Sequence, residues 1–187
     1  MDNNELQNAT MTKRESAEEV FSWAETVLFA LVAVVIILTF IFRLLSVDGI
    51  SMLPTLHDGD KIITSKLFFK PKTGDVIVID ERRFLDEPLV KRVIATEGQT
   101  VNFNFNTGEV IVDGKTLKEP YINEKNRNFG NTVFPLTVPK GQVFVMGDNR
   151  NHSSDSRDSR IGMIDARYIL GRVYFRVFPF NTFGRVK

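Results

Sequence analysis

The hydrophobic and polar positions divide the chain into two unlike parts. Residues 1 to 19 are polar and mixed in charge, with Lys13, Arg14, Glu15, Glu18 and Glu19 among them. From Thr26 to Phe42 no charged residue occurs, and Leu44 and Leu45 carry the apolar content past Arg43, whose long side chain can snorkel to an interface. The run is apolar on every face, which suits a helix surrounded by lipid better than an amphipathic core helix. It predicts a transmembrane anchor over 24–45 behind an N-terminal tail, 1–23, that becomes helical. A cleaved signal peptide fits less well, because the run exceeds the usual apolar length and Leu45-Ser46-Val47-Asp48 offers no small-x-small site. Lys13 and Arg14 place the tail in the cytoplasm by the positive-inside rule, although Arg43 mildly opposes it, and Trp23 sits where an interfacial aromatic belongs.

From Val47 onward the pattern changes to alternation and to β-branched or aromatic runs separated by turn residues. Strands are expected at Lys61 to Thr64, Asp75 to Asp80, Leu89 to Thr96, Thr100 to Phe105, Glu109 to Asp113, Gln142 to Met146 and Arg172 to Phe178. Asn106-Thr107-Gly108 and Asp113-Gly114 read as hairpin turns. Many short strands imply a mainly β fold, an antiparallel sheet domain over 46–187 outside the membrane. The one helix-like stretch after the anchor is Met163 to Leu170. Residues 115 to 140, rich in Asn, Lys, Pro and Gly, follow no sustained period and read as a small loop-rich insertion.

Composition narrows the chemistry. The 24 Lys and Arg balance 23 Asp and Glu, which argues against binding nucleic acid through overall charge. The chain has no cysteine, so disulfides, thiolate catalysis and cysteine metal sites are excluded. The 16 phenylalanines, mostly in strand patterns, are assigned to the core.

The candidate chemistry starts at Gly49-Ile50-Ser51-Met52-Leu53-Pro54-Thr55. Pro54 fixes its own φ and biases Leu53 toward extended backbone, while Gly49 relaxes the chain before the serine. Such a frame presents a hydroxyl rigidly, although a plain strand-to-turn transition has the same composition. Ser51 follows Arg43 by eight residues, so a fully extended chain spans at most about 26 Å and the serine stays near the membrane surface.

In Leu89-Val90-Lys91-Arg92-Val93-Ile94, strand alternation gives both Lys91 and Arg92 apolar neighbours on their own faces. One reading is an edge strand guarded by charge. The other is a lysine withdrawn from water, whose amine pKa falls far enough for it to take a proton from a serine. The two histidines, His57 and His152, lie in polar turn-like contexts, so Ser51 with Lys91 is a better pair than a Ser/His/Asp triad. The stretch Gly147-Asp148-Asn149-Arg150-Asn151-His152-Ser153-Ser154-Asp155-Ser156-Arg157 is dense in hydrogen-bonding groups. It fails as a calcium loop, since Arg150 occupies a ligand position and the closing glutamate is missing, and no metal is expected.

In order and character, Ser51-Met52-Leu53-Pro54-Thr55, Lys91-Arg92 and Gly147-Asp148-Asn149-Arg150 through Ser153, Asp155, Ser156 and Arg157 resemble the bacterial type I signal peptidases. The likeness covers about 20 to 180, and the short chain with one anchor is similar to the Gram-positive branch. Asn151-His152 stands where Asp-Asn is often found.

The resemblance implies a membrane-bound serine endopeptidase that removes signal peptides from exported pre-proteins after small residues, through an acyl-enzyme and without a cofactor. Ser51 is then the nucleophile and donor of one oxyanion N–H, and Lys91 the general base. Ser153 is expected to hydrogen-bond and orient Lys91, Asp155 to pair with Arg157, and Arg92 to pair with Asp148. Gly49 stands where some members carry a serine that donates to the oxyanion, which leaves the second donor to a backbone group or a water. The expected partners are pre-protein signal peptides, the lipid bilayer and the secretion machinery, with the catalytic domain extracytoplasmic and no nucleic acid. Two alternatives remain at this level: an autopeptidase of the SOS-repressor type, which also uses Ser and Lys on a β scaffold, and a membrane-tethered β domain that binds peptides without cutting them.

Overall fold

Hydrogen bonding sorts the chain into one long helix and two antiparallel sheets in this computed structural model, which describes residues 3–80 and 88–186, with side chains from 18 to 39, 41 to 80 and 88 to 186. Helix α1 runs Asn3–Ile41. Its stretch Glu18–Thr39 is apolar and long enough to cross a membrane, with none of its side chains buried by protein. At 1.5 Å per residue, 22 residues reach about 33 Å, enough for a hydrocarbon layer of about 30 Å. The charge rule read from Lys13 and Arg14 concerns side chains outside the described ones.

Leu44 and Leu45 do not extend this helix as the apolar pattern led us to expect. They lie in β1 (Arg43–Ser46), where Leu44 and Leu45 register with Ile63 and Ile62. Leu45 also packs against the cluster of Val47, Met52 and Leu56. An available strand partner and a core to cover decide the conformation here, and both are distant in sequence.

The larger sheet has the order β1-β2-β11-β3-β4-β9-β10, with β12 on β11. Its strands are β1, β2 (Lys61–Ser65), β3 (Val76–Ile79), β4 (Leu89–Thr96), β9 (Gln142–Met146), β10 (Ile164–Asp165), β11 (Ile169–Phe178) and β12 (Gly184–Arg185). The smaller sheet runs β7-β6-β5-β8, from β5 (Thr100–Asn104), β6 (Glu109–Val112), β7 (Lys115–Thr116) and β8 (Leu136–Thr137). All the pairings are antiparallel.

The expected strands are present, and the short helix is not. Met163 to Leu170 instead contains β10, a single 3₁₀ turn at Ala166–Tyr168 and the start of β11. Ile164 registers with Val143, and the Asp165 carboxylate accepts the Arg167 N–H at 2.8 Å to cap the turn. Between residues 115 and 140 the chain forms only the short strands β7 and β8, yet Leu117, Phe129, Phe134 and Leu136 pack on the cluster of Phe103, Val110 and Phe144. Edge-to-face rings, such as Phe103 against Phe134 with centroids 4.7 Å apart, hold that cluster together. The assignment of phenylalanine to the core does not extend to Phe68, Phe105, Phe178, Phe180 and Phe183, which are exposed.

Candidate active site

The Ser51 turn is fixed at both ends by backbone. Val47 N–H donates to the Asp60 carbonyl at 2.8 Å, and Gly59 N–H to the Val47 carbonyl at 2.9 Å. Between them, Met52 and Leu56 are fully buried and pin the turn to the core. Leu56 N–H bonds the Met52 carbonyl at 3.0 Å, and the Leu53-Pro54 bond is cis. Gly49 sits at φ 79°, a conformation that favours glycine, and its N–H is committed to the Asp58 carboxylate at 2.8 Å. Gly49 therefore shapes the approach to Ser51 and offers no donor toward it. The Ser51 N–H itself makes no hydrogen bond among the described residues.

Lys91 comes from β4, which lies between β3 and β9 and is no edge strand. The reading of Lys91 as an edge guard therefore does not hold. Both faces of β4 are covered, so Lys91 and Arg92 are 2% and 1% exposed although they point to opposite faces. The Lys91 Nζ donates to Ser51 Oγ at 2.6 Å. Burial lowers the Lys91 amine pKa to about 8; Asp155 opposes this, Arg157 adds to it, and Asp148 opposes it. His57 and His152 are exposed, and the side-chain partner of Ser51 is Lys91.

The polar stretch after β9 folds around this pair. Asn149 N–H bonds the Ser51 carbonyl and its side-chain amide the Ile50 carbonyl, each at 3.0 Å. Arg92 grips Asp148 at two points, Nε to Oδ1 and Nη2 to Oδ2, both at 2.7 Å. Its Nη1 bonds the Gly74 carbonyl at 2.7 Å, and Thr55 Oγ1 also donates to Asp148. Arg157 pairs in the same way with Asp155, at 2.8 Å for both bonds, and Gly147 N–H adds a third at 3.0 Å. Burial pushes the Asp155 carboxyl up, but Arg157 and the Gly147 N–H outweigh it and the net shift is downward.

Ser153 departs from expectation. Among the described residues its buried hydroxyl does not bond the Lys91 amine; it lies instead by the Asp155 carboxyl, whose pKa it helps to hold down. The loop brings it against Gly147, where a Cβ would collide with both Ser153 Oγ and the Ser51 carbonyl oxygen. The loop after β9 therefore approaches the nucleophile turn so closely that only glycine fits at 147.

Several contributors were not singled out from the sequence. Thr55 was visible inside its motif without a role. Glu119 and Tyr121 lie in the loop-rich 115–140 stretch, where no periodicity marks a residue, yet Glu119 pairs with buried Arg150 and the Tyr121 ring lies under Arg92 at 3.8 Å. A Glu-Pro-Tyr string between two polar stretches is the only local signal they leave.

The chain has relatives among known proteins. The family model described as "Signal peptidase, peptidase S26" matches residues 20–178. That span includes the Ser51 turn, β4 and the loop after β9. The chain belongs to the signal peptidase family, peptidase S26. It is thus a peptidase. Signal peptidase I of Bacillus licheniformis is 36% identical, with 91% of this chain and 97% of that protein covered. Signal peptidase I T of Bacillus subtilis (strain 168) is 32% identical, with 96% of each covered. A crystal structure of a signal peptidase I from Enterococcus faecalis V583 aligns with a TM-score of 0.46 at 30% identity, covering 56% of this chain and 97% of its own.

Proposed function

We propose that this peptidase cleaves signal peptides from exported pre-proteins with Ser51 as nucleophile and Lys91 as general base. The observation that carries the reading is the 2.6 Å approach of a buried lysine amine to a serine hydroxyl, with the amine pKa brought down to about 8. At neutral pH roughly a tenth of such amines are uncharged, against fewer than one in a thousand at the ordinary value. In the uncharged form the amine lone pair accepts the Ser51 hydroxyl proton while Oγ attacks the scissile carbonyl carbon. The resulting ammonium then gives that proton to the leaving amine as the C–N bond breaks, which leaves an acyl-enzyme. The amine, neutral again, takes a proton from water for deacylation. The free Ser51 N–H supplies one oxyanion donor. Asp148 with Arg92, and Asp155 with Arg157, keep the charges around Lys91 paired, and Ser153 fills the close contact at Gly147.

The apolar stretch 18–39 anchors the enzyme in the bilayer, with the N-terminus cytoplasmic and the catalytic domain facing the exported side, where pre-proteins emerge from the secretion machinery. A short link between anchor and Ser51 suits a substrate whose cleavage site lies close to the membrane.

The test is cleavage of a purified pre-protein in detergent by wild type, Ser51→Ala and Lys91→Ala. Both variants should fold and be inactive; full activity in either rules out the pair. Mass spectrometry of the purified chain excludes self-cleavage if it is intact. Digestion of residues 47–187 by external protease in intact cells checks the orientation.

A further inference from the structure

The arginines buried among the described residues are Arg92, Arg150 and Arg157, and the loop-rich stretch from Glu119 to Asn128 contacts each of them by a different chemistry. Glu119 supplies a carboxylate to Arg150 Nη2, and that carboxylate is itself 6% exposed. Arg150 Nε bonds the Gly147 carbonyl at 3.0 Å, its Nη1 has no partner among the described residues, and Glu119 is its counter-charge. Tyr121 places its ring under the Arg92 guanidinium, whose central carbon is 3.8 Å from the ring centroid. The Tyr121 hydroxyl donates to Glu119 at 3.3 Å and so links the two contacts. Asn126 is buried, and its amide nitrogen is held by the Gly108 carbonyl at 2.7 Å, which aims its oxygen at Arg157 Nη1 at 3.3 Å. The Asn128 carbonyl takes the same Nη1 at 2.7 Å.

The loop after β9 reciprocates. The Asn151 side-chain oxygen accepts the N–H groups of Arg127 and Asn128 at 2.8 and 3.3 Å, and its amide donates to the Lys125 carbonyl at 3.2 Å. A Cβ at Gly130 would strike the Arg157 backbone, so the two segments run in direct contact. Contacts this varied on three buried arginines are more than a solvated loop requires.

We propose that Tyr121 and Asn126, with Glu119 tied to the Tyr121 hydroxyl, form a strap of positioning residues that holds Arg92 and Arg157 against Asp148 and Asp155 and thereby sets the protonation of the general base. The proposal rests on the Ser51–Lys91 reading above. The charged groups that bear on Lys91 are Asp155, Arg157 and Asp148. Arg157 neutralises Asp155, and Arg92 neutralises Asp148. If the strap lets either guanidinium recede, the carboxylate left behind attracts the Lys91 ammonium more strongly. Loss of Arg157 from its place also removes a nearby positive charge. Each change makes Lys91 keep its proton to higher pH, so activity is lost near neutrality while substrate binding is untouched.

The experiment is the pH profile of kcat/KM for pre-protein cleavage by the full chain in detergent, with circular dichroism as a check of folding. Asn126→Ala and Tyr121→Leu should each move the midpoint of the rising limb upward by roughly half to one pH unit, with KM within about twofold of wild type. Tyr121→Phe, which keeps the ring under Arg92, should restore the wild-type midpoint. An unchanged midpoint in folded variants, with kcat reduced equally at every pH, makes the strap purely structural and overturns the proposal, as does a downward shift. If Asn126→Ala fails to fold, the contrast between Tyr121→Leu and Tyr121→Phe decides alone. Ser51→Ala run alongside separates the two ideas: activity in that variant sinks the dyad and the strap with it. An inactive Ser51→Ala beside unshifted strap variants sinks only the strap.

Discussion

Arg92 and Asp148, 56 residues apart, form a two-point ion pair with side chains 2% and 0% exposed. It joins the strand that carries Lys91 to the loop that holds the Ser51 turn. Removing one partner leaves the other charge buried and uncompensated, which typically costs about 3–5 kcal/mol. Asp148→Ala should therefore lower the denaturant midpoint by that equivalent and reduce cleavage, as measured by urea unfolding beside pre-protein processing. A variant as stable as wild type would remove this pair from the support of the site.

Activity should rise with pH. Because the amine must be neutral to act as base, kcat/KM is expected to increase about tenfold per unit below the Lys91 pKa and to level off above about pH 8. Steady-state cleavage between pH 6 and pH 10 would check this, and a profile flat across pH 8 would contradict a lysine base. Lys91→Arg, which stays charged throughout that range, should be inactive at every pH.

Stability should move in the opposite sense to activity when Lys91 is replaced. The folded-state pKa is depressed, so between about 8 and 10.5 the unfolded chain binds more protons and stability rises with pH. Below pH 8 the full cost of the buried amine is present, about 3 kcal/mol for a shift of this size. Lys91→Met should accordingly be more stable than wild type at pH 7, by about 1–3 kcal/mol once the lost bond to Ser51 is counted, and inactive. The stability gap should close above pH 10.5. Thermal unfolding of both proteins at pH 7 and pH 10.5 distinguishes this from a purely structural lysine, whose loss would destabilise at both.

Gly147 faces a close contact with the nucleophile turn. Gly147→Ala places a methyl against the Ser51 carbonyl and Ser153 Oγ, and overpacking of this kind costs about 1–3 kcal/mol. The strain falls on the nucleophile, so kcat should drop by more than stability does. Comparing kcat with the melting temperature tests this: loss of stability with full kcat would mean that the loop yields without moving Ser51.

How much of this was legible in the chain differs from element to element. The long apolar helix was readable because a run without charge that is apolar on every face is a local property. Its end was misplaced by a few residues, because Leu44 and Leu45 are equally apolar in a helix or in β1, and only Ile62 and Ile63 decide between them. In the large sheet β2, β3, β4, β9 and most of β11 were readable from alternation and β-branched runs, while the short strands β1, β10 and β12 were not. Met163 to Leu170 was not, since so short a stretch has no period and takes its shape from pairing with β9 and β3.

At the site, the residue types and spacing of Ser51, Lys91 and the stretch from Gly147 to Arg157 were sufficient to name the family. Local sequence fixes which groups are present and which face of a strand each takes. It cannot say whether Lys91 is a charged guard on an edge or a buried amine, because that depends on β3 and β9 lying on either side of β4 and on the Ser51 turn packing over it. The same holds for Ser153, which was given a bond to Lys91 and instead meets Gly147, and for Glu119, Tyr121 and Asn126, which look like ordinary loop residues until the fold sets them against the buried arginines. Burial and charge pairing are properties of positions brought together from distant parts of the chain. The sequence determined the apolar helix, much of the β pattern and the family; tertiary packing alone decided the desolvation that lowers the Lys91 pKa and the contacts that surround it.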